Sequence, residues 1–429
     1  MILKEKMGDS MTIVEKILAR ASKRSKTSSG EYVTAKIDVA MMPENFRLIR
    51  SVITEAGIKE EAFHLWDPEK FVVVTDHRIP PTALSTAENQ KLIRDLAKKL
   101  RVKYFYDIFP GICHQVMVEK GHVRPGELIV GADSHTTTYG ALNAASTGIG
   151  ASEMAYVIHT GELWFRVPET IKFEIHGRLQ EWVHSKDVIL LIAGKYSTEV
   201  AQYKAIEWTG SAIDEMSIDS RLTMGNMSVE LGAKFGIFRA DQKVIDYVKA
   251  RTDKEFIPVE SDANAVYAEN YSINGSAIEP QVALPHNVGN VIKAREVKDV
   301  KIDQAVIASC CHGRIEDLEI AVKGLKGKKV HPGVRFYVAP ASWEVYKEAL
   351  DRGILRQLIE AGVMIGNPTC GFCTGIQGVL AAGERCIAAT PRNFKGRMGS
   401  PDAEIYLASP ATVTASAIRG KIVDPREVM

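Results

Sequence analysis

The chain has 429 residues, of which 45% are hydrophobic and 25% are charged, and its formal net charge is +1 at pH 7. This composition is typical of a globular protein with two or three cores. The near-neutral charge argues against nucleic acid or a membrane surface as the main partner. No apolar run approaches the roughly 20 residues of a membrane span, and the N-terminus lacks the features of a signal peptide. Six cysteines in so long a chain do not make a disulfide framework. We therefore predict a cytoplasmic protein in a reducing compartment.

The first predicted elements alternate between helix and strand. Thr12 and Glu15 form a capping-box pattern that predicts a helix running to Ala21, and residues 1–10 are expected to be an extension before it. The β-branched run Phe71–Val74 predicts a buried strand. Further along, the pattern predicts a helix at 87–100 and strands at 104–106 and 127–130.

A histidine follows each of these three predicted strands. Asp76 and His77 follow the first, His114 lies shortly after the second, and Asp133 and His135 follow the third. Because the carboxyl ends of parallel strands meet at one edge of a sheet, a shared site is favoured over three unrelated histidines. An aspartate beside a histidine orients the imidazole and holds its charge during proton transfer.

The middle of the chain offers fewer candidates. Pro168 marks a predicted boundary before an alternating strand at 170–176, and a second boundary is predicted near Pro285. Residues 222–232 read as a helix that places Asn226 and Glu230 on one face. By itself that pairing is usual for a solvated helix face.

The cysteines carry the strongest chemical signal. Cys310 follows a predicted strand at 305–308, and Cys370 and Cys373 follow another at 363–365. Three thiolates without an obvious fourth ligand suit a [4Fe-4S] cluster with one iron left open for chemistry. Spacing alone leaves two alternatives, a redox disulfide and half of a zinc site.

Two arginines follow the cysteines in a glycine-containing loop. Arg392 and Arg397 suit carboxylate recognition, because guanidinium pairs with carboxylate through two parallel hydrogen bonds. The alternative is a surface turn with two ordinary arginines. A strand at 403–408 and a helix at 411–419 are predicted to close the chain.

These segments, in this order, resemble the aconitase superfamily, and within it the separate large subunits of isopropylmalate isomerase and homoaconitase. The resemblance covers nearly the whole chain, from residue 12 to residue 426. The motifs that carry it are Asp76-His77, Gly111-Ile-Cys-His114-Gln, Asp133-Ser134-His-Thr, Asn226-x-x-x-Glu230, Ser309-Cys310, Cys370-x-x-Cys373 and Arg392-Asn-Phe-x-Gly-Arg397.

The resemblance implies an α/β fold with three α/β/α domains around a central [4Fe-4S] cluster ligated by Cys310, Cys370 and Cys373. The expected domains are residues 11–167, 168–286 and 287–429, the last carrying the cysteines. The swivelling fourth domain of the family is absent from this chain, which implies a separate small subunit as partner.

The implied reaction is dehydration of a 2-hydroxy di- or tricarboxylic acid, with the open iron as Lewis acid. The first expectation is a 3-isopropylmalate dehydratase. The alternatives are a homoaconitase or a methylmalate, dimethylmalate or maleate-type hydro-lyase and, in another class, a non-catalytic iron-responsive binding protein. The resemblance implies catalytic roles for Asp76, His77, His114, Asp133, His135 and Glu230, and substrate binding by Ser134, Asn226, Arg392 and Arg397.

Three departures from the family pattern concern the substrate more than the reaction. Cys311 and His312 stand where the family usually has threonine and asparagine, and Pro391 replaces an asparagine before the arginine loop. Residues 40–43, Ala-Met-Met-Pro, replace an early polar pair. Such changes beside a cluster could alter its potential or its substrate contacts.

Overall fold

The computed structural model describes residues 10–44, 46–55, 57 and 64–429. Most of the predicted N-terminal extension, residues 1–9, therefore lies outside the described residues. The predicted first helix is confirmed, with the Thr12 side chain accepting from the Glu15 backbone N–H and the Glu15 carboxylate accepting from the Thr12 N–H. None of the helices in the described part of the chain has both the length and the apolar character that crossing a bilayer requires.

The described residues form strands and helices in alternation. The strands are β1 (Tyr32–Lys36), β2 (Val39–Met42), β3 (Phe71–Val74), β4 (Tyr104–Tyr106), β5 (Leu128–Gly131), β6 (Ala145–Gly148), β7 (Glu162–Arg166), β8 (Thr170–His176), β9 (Ala205–Thr209), β10 (Phe235–Phe238), β11 (Glu269–Asn274), β12 (Gln281–Ala283), β13 (Val291–Lys293), β14 (Gln304–Ile307), β15 (Arg335–Val338), β16 (Met364–Ile365), β17 (Arg385–Ala388) and β18 (Glu404–Ala408).

The helices pack between and against these strands. They are α1 (Ile13–Ala21), α2 (Phe46–Glu55), α3 (Leu84–Lys99), α4 (Cys113–Glu119), α5 (Ala151–Thr160), α6 (Ser185–Tyr196), α7 (Ser211–Glu215), α8 (Ile218–Met227), α9 (Gln242–Lys249), α10 (Ile315–Leu325), α11 (Trp343–Asp351), α12 (Ile354–Glu360) and α13 (Pro410–Arg419). Short 3₁₀ helices occur at Ser134–Leu142, Ser228–Leu231, Gly275–Ala277, Ala294–Glu296, Gly371–Cys373 and Pro425–Glu427.

Three sheets organise the described residues, with β1 and β7 forming a separate antiparallel pair. The first sheet has the order β4-β3-β2-β5-β6 and is parallel throughout. The second, β10-β9-β8-β11, is also parallel. The third has the order β13-β12-β18-β17-β14-β15-β16, with β12 antiparallel to both of its neighbours and the strands from β18 to β16 parallel.

Parallel pairing explains why several of these strands are buried along their whole length. All four residues of β3, β5, β10 and β14 are buried, as expected when helices cover both faces of a sheet. One hydrophobic cluster joins the three sheets, with Val72 from the first, Phe173 from the second and Val306 from the third. The sheets therefore share a core, and the ends of their strands are held in fixed relation.

Strand ends of two sheets meet at one place. Asp76 follows β3 of the first sheet, and its carbonyl oxygen accepts hydrogen bonds from the Cys370 N–H at 3.1 Å and from the Thr369 hydroxyl at 2.8 Å. Cys370 itself follows β16 of the third sheet. The predicted gathering of side chains at strand ends thus extends across two sheets.

Two predicted elements differ from the structure. Helix α3 begins at Leu84, three residues before the predicted start at residue 87. The predicted single helix at 222–232 is wrong in its second half, because α8 ends at Met227 and a 3₁₀ turn follows. There the Ser228 hydroxyl donates to the Met224 carbonyl at 2.9 Å, a local bond that competes with regular helix geometry.

The division into domains at 11–167, 168–286 and 287–429 stays a prediction. The first two sheets lie within the first two ranges. Strand β12 belongs to the third sheet although it precedes residue 287.

The 3₁₀ helix Ser134–Leu142 packs so tightly on β10 that one of its glycines tolerates no side chain. A Cβ at Gly140 would lie 1.7 Å from the Gly236 carbonyl oxygen. We expect Gly140→Ala to lower the free energy of unfolding by about 1–3 kcal/mol, the usual cost of overpacking. Urea unfolding followed by circular dichroism measures this. Gly150→Ala is the matched control, because φ is −73° there and the nearest neighbour of an added Cβ would be the Glu153 carboxylate at 3.6 Å. Equal unfolding midpoints for the two variants would contradict the close packing.

Candidate functional site

The loop after β3 presents a buried aspartate and its histidine. The Asp76 carboxylate is fully buried; one oxygen lies 2.7 Å from His77 Nδ1 and the other accepts from the Cys113 N–H at 2.7 Å. Burial disfavours a charged imidazole, but the neighbouring Asp76 carboxylate outweighs burial and raises the pKa of His77 to about 10. The imidazole is therefore held as a cation whose ring orientation is fixed by Asp76.

Asp133, the residue before the 3₁₀ helix that follows β5, lies between the other two histidines. Its Oδ1 is 2.9 Å from His114 Nε2 and accepts from the His135 N–H at 2.8 Å. Burial would raise the pKa of Asp133, but its hydrogen bonds to His114 and His135 hold that pKa well below its usual range. On its other side, His114 Nδ1 lies 3.0 Å from the hydroxyl of Tyr139. One ionised carboxylate thus orders both imidazoles.

Glu230 connects this histidine group to the arginine loop. Its Oε1 lies 2.9 Å from His135 Nε2 and accepts from Arg392 Nε at 2.7 Å. Burial would lower the pKa of His135, but the Cys310 thiolate and the carboxylates of Asp133 and Glu230 hold it well above its usual range. The result is a chain of charges from Asp133 through His135 and Glu230 to Arg392.

The three predicted ligand cysteines are buried and free. A hydrogen bond from the Cys370 thiol outweighs burial and holds the pKa of Cys310 well below its usual range, with His135 adding to the effect. Arg397 donates from Nε to the Cys373 carbonyl at 3.0 Å and approaches its Sγ with Nη2 at 3.4 Å. Cationic groups therefore favour thiolates at this position.

These side chains surround one cavity of about 200 Å³. Its lining comprises His77, Ile112, Cys113, His114, Asp133, His135, Cys310, Cys370, Cys373, Thr374, Arg392 and Arg397. Nine of the thirteen sequence-predicted site residues are among them.

The remaining predicted residues occupy different places. Asp76 and Glu230 lie behind the lining, each against a histidine that reaches the cavity. Asn226 is fully buried, with its Oδ1 3.8 Å from Cys310 Sγ and its amide donating to Thr138 at 2.8 Å. Ser134 is half-buried at the start of its 3₁₀ helix, outside the cavity lining that the structure describes.

Arg314 is a residue of this site that sequence reasoning missed. Its guanidinium is buried and donates to the carbonyls of Cys310 and Cys311, each at 2.9 Å, and to Gln115 Oε1 at 2.9 Å. It therefore fixes the backbone of the first cysteine loop. The only available signal was its position three residues after a cysteine pair, which does not distinguish burial from exposure.

The residues that depart from the family pattern mostly point away from the cavity. The thiol of Cys311 faces the Ala389 carbonyl at 3.5 Å, and His312 Nδ1 lies 3.1 Å from the same sulfur. Ala40, Met41 and Met42 are fully buried in β2. Pro43 lines a separate cavity of about 490 Å³ that also touches His77.

Among the residues that the structure describes, no three His, Cys, Asp or Glu side chains converge as ligands of a single metal ion. The thiolates of a [4Fe-4S] cluster each bind a different iron, so they require a space between them rather than a common point. The arrangement of Cys310, Cys370 and Cys373 around a cavity matches that requirement.

Comparisons with known proteins agree over nearly the whole chain. A family model described as "Aconitase family (aconitate hydratase)" matches residues 46–420. The chain is 49% identical over 417 residues to 3-isopropylmalate dehydratase large subunit 1 of Methanopyrus kandleri, covering 97% of this chain and 99% of that protein. It is 44% identical over 423 residues to the probable methanogen homoaconitase large subunit of Methanothermobacter thermautotrophicus, covering 97% and 98%.

A likeness of fold extends to a distant solved structure. The holo-form of Thermococcus kodakaraensis aconitase X superposes with a TM-score of 0.51 over 84% of each chain, at 10% sequence identity. At that identity only the fold is comparable.

Proposed function

The chain belongs to the aconitase family, and from that membership we propose that it is the large subunit of a [4Fe-4S]-dependent 3-isopropylmalate dehydratase. It is a hydro-lyase with an aconitase-type α/β fold built on parallel sheets. The convergence of the three predicted ligand thiols, three histidines and two arginines on one cavity carries the proposal.

The residues present fit a cluster. Cys310, Cys370 and Cys373 are free thiols around a cavity of about 200 Å³, and Arg397 and His135 supply positive charge beside them. Three protein ligands leave one of four irons open, and when bound the cluster would supply a Lewis acid for the substrate hydroxyl and carboxylate. The rest of the chemistry belongs to side chains of this chain.

The three histidines are proposed to protonate the departing hydroxyl of the substrate and to share its hydrogen bonds. His77 and His135 are held protonated by Asp76, Asp133 and Glu230, and such imidazolium groups can donate to a departing hydroxyl. His114, whose Nε2 lies 2.9 Å from the same Asp133 oxygen that accepts from the His135 N–H, would share the hydrogen bonds of that hydroxyl.

The two arginines are proposed to bind the carboxylates of the substrate. Arg392 and Arg397 line the cavity, and each uses its Nε for a protein contact, which leaves guanidinium N–H groups for substrate carboxylates. Asn226 would contribute through its contact with Cys310, and Ser134 would bind substrate from the edge of the site.

A separate small subunit is the proposed partner. The curated relatives are named as large subunits, which implies a second chain in those proteins. We propose that the partner supplies the group that takes the α-proton. Nucleic acid and membranes are not proposed as partners.

A second candidate is homoaconitate chemistry, which the 44% identity to a probable homoaconitase large subunit favours. Against it, the relative at 49% identity is named for 3-isopropylmalate, and Cys311, the first departure from the family pattern, turns its thiol away from the cavity.

The test is turnover by the complete enzyme. The protein would be purified anaerobically with its candidate small subunit and assayed in the ultraviolet for the unsaturated product from isopropylmalate, homocitrate, citramalate and dimethylmalate. We expect isopropylmalate to be the preferred substrate by kcat/KM. Preference for homocitrate would replace the proposal with its second candidate, and turnover of no acid by cluster-loaded complex would reject both.

A further inference from the structure

A buried lysine lies behind the cysteine loops, and the proposed chemistry does not use it. Lys186, in the first turn of α6, is fully buried, and its Nζ donates to the Thr390 carbonyl at 2.6 Å. Burial of an ammonium group is costly unless charge compensates it. A neutral carbonyl gives a hydrogen bond but no counter-charge.

The carboxylate next in sequence is engaged elsewhere. Asp187 accepts from the backbone N–H groups of His184 and Gln281, each at 2.9 Å, and the ion pairs among the described residues do not include one with Lys186. Burial lowers the pKa of Lys186, and the largest opposing influences come from the sulfurs of Cys311 and Cys373. The Thr390 carbonyl connects the amine to the first cysteine loop, because the carbonyl oxygen of the preceding residue, Ala389, lies 3.5 Å from the Sγ of Cys311.

Lys186 is also shielded from the acid substrate. The described lining of the cavity contains Arg392 and Arg397, and Lys186 lies outside that lining. Its carbonyl partner Thr390 is itself fully buried. Lys186 therefore acts on the site through the segments that carry Thr390 and Cys311 and not through a place in the cavity lining.

We propose that Lys186 is the counter-charge of the iron–sulfur cluster, a positioning residue that stabilises the anionic cluster from behind and raises its reduction potential. The inference rests on the proposed function, because it assumes a cluster at Cys310, Cys370 and Cys373. A cluster held by three thiolates is a net anion, and reduction by one electron adds a further negative charge. A nearby buried cation favours the reduced form, so its loss makes the potential more negative.

Three variants separate charge from hydrogen bonding. Lys186→Gln removes the charge and keeps a donor for the Thr390 carbonyl, Lys186→Met removes both, and Lys186→Arg keeps the charge. Lys195→Gln removes an exposed lysine from the same helix and is the matched control. Each full-length protein would be reconstituted with iron and sulfide and titrated with dithionite, and the reduced cluster would be counted by electron paramagnetic resonance.

We expect the midpoint potential to fall in Lys186→Gln and Lys186→Met and to stay at the wild-type value in Lys186→Arg and Lys195→Gln. An unchanged potential in Lys186→Gln, with or without a change in KM, would overturn the counter-charge role and leave only an anchor for the loop of Thr390. If Lys186→Met fails to fold, the comparison of the Gln and Arg variants decides. A wild-type protein that takes up no cluster would instead contradict the proposed function.

Discussion

Replacing Cys370 with serine is expected to abolish both the brown absorbance of the reconstituted protein and its turnover. Cys370 is buried and lines the cavity together with Cys310 and Cys373. A serine hydroxyl is a much harder and more basic ligand than a thiolate, and it binds iron–sulfur cores poorly. Iron and sulfide analysis of the variant should give values near background, with activity lost by at least about 10²-fold when the proposed Lewis acid is missing.

Cys386→Ser is the matched control for this change. Cys386 is equally buried, but it lies in β17, where its sulfur contacts Gln304 rather than the cavity. It should keep its full iron content and turnover. Wild-type iron and activity in Cys370→Ser would reject the ligand assignment.

Asp133→Asn is expected to lower kcat by roughly 10²–10⁴-fold while leaving the cluster in place, the range for loss of a proton-transfer group. The amide keeps the shape of the carboxylate and can accept from the His135 N–H. It cannot hold positive charge on His135 as the ionised Asp133 does. Steady-state kinetics with isopropylmalate, alongside the visible spectrum of the cluster, measures both parts of this prediction.

The control is a neutralised aspartate away from the site. Asp107 forms a half-exposed ion pair with Arg94 at 2.6 Å, and Asp107→Asn should leave kcat within about twofold of wild type, because exposed pairs contribute little. A kcat in Asp133→Asn equal to that of this control would remove Asp133 from the proposed proton pathway.

Much of the fold could be predicted from the pattern of hydrophobic residues. Runs such as Phe71–Val74 are buried on both faces only in parallel sheets, and the functional side chains follow such runs at Asp76, Asp133 and Cys310. The rule that parallel strands end together predicted a common neighbourhood for these residues. Membership of the aconitase family, anticipated from the motifs, is confirmed by the comparisons. The roles of the individual residues stay predictions.

Other parts of the site carried no local signal. Arg314 and Lys186 have the sequence signature of surface residues, and both are fully buried. Their burial depends on contacts between distant segments, such as the 204 residues that separate Lys186 from Thr390. Neither periodicity nor composition encodes such a pairing. At Ser228 the α-helix changes to a 3₁₀ helix, and a side-chain hydrogen bond accompanies the change. The sequence pattern does not predict this bond either.

The protein contacts that hold the two cavity arginines in place affect the free energy of substrate binding. A free arginine side chain carries up to about 2 kcal/mol of rotamer entropy, which a ligand must overcome when it orders the guanidinium. Here Glu230 and the Cys373 carbonyl already immobilise the Nε edges of Arg392 and Arg397. The ordering cost is therefore met during folding, at the expense of stability. The affinity of the site for a dicarboxylate then reflects mainly the new hydrogen bonds and the water they displace.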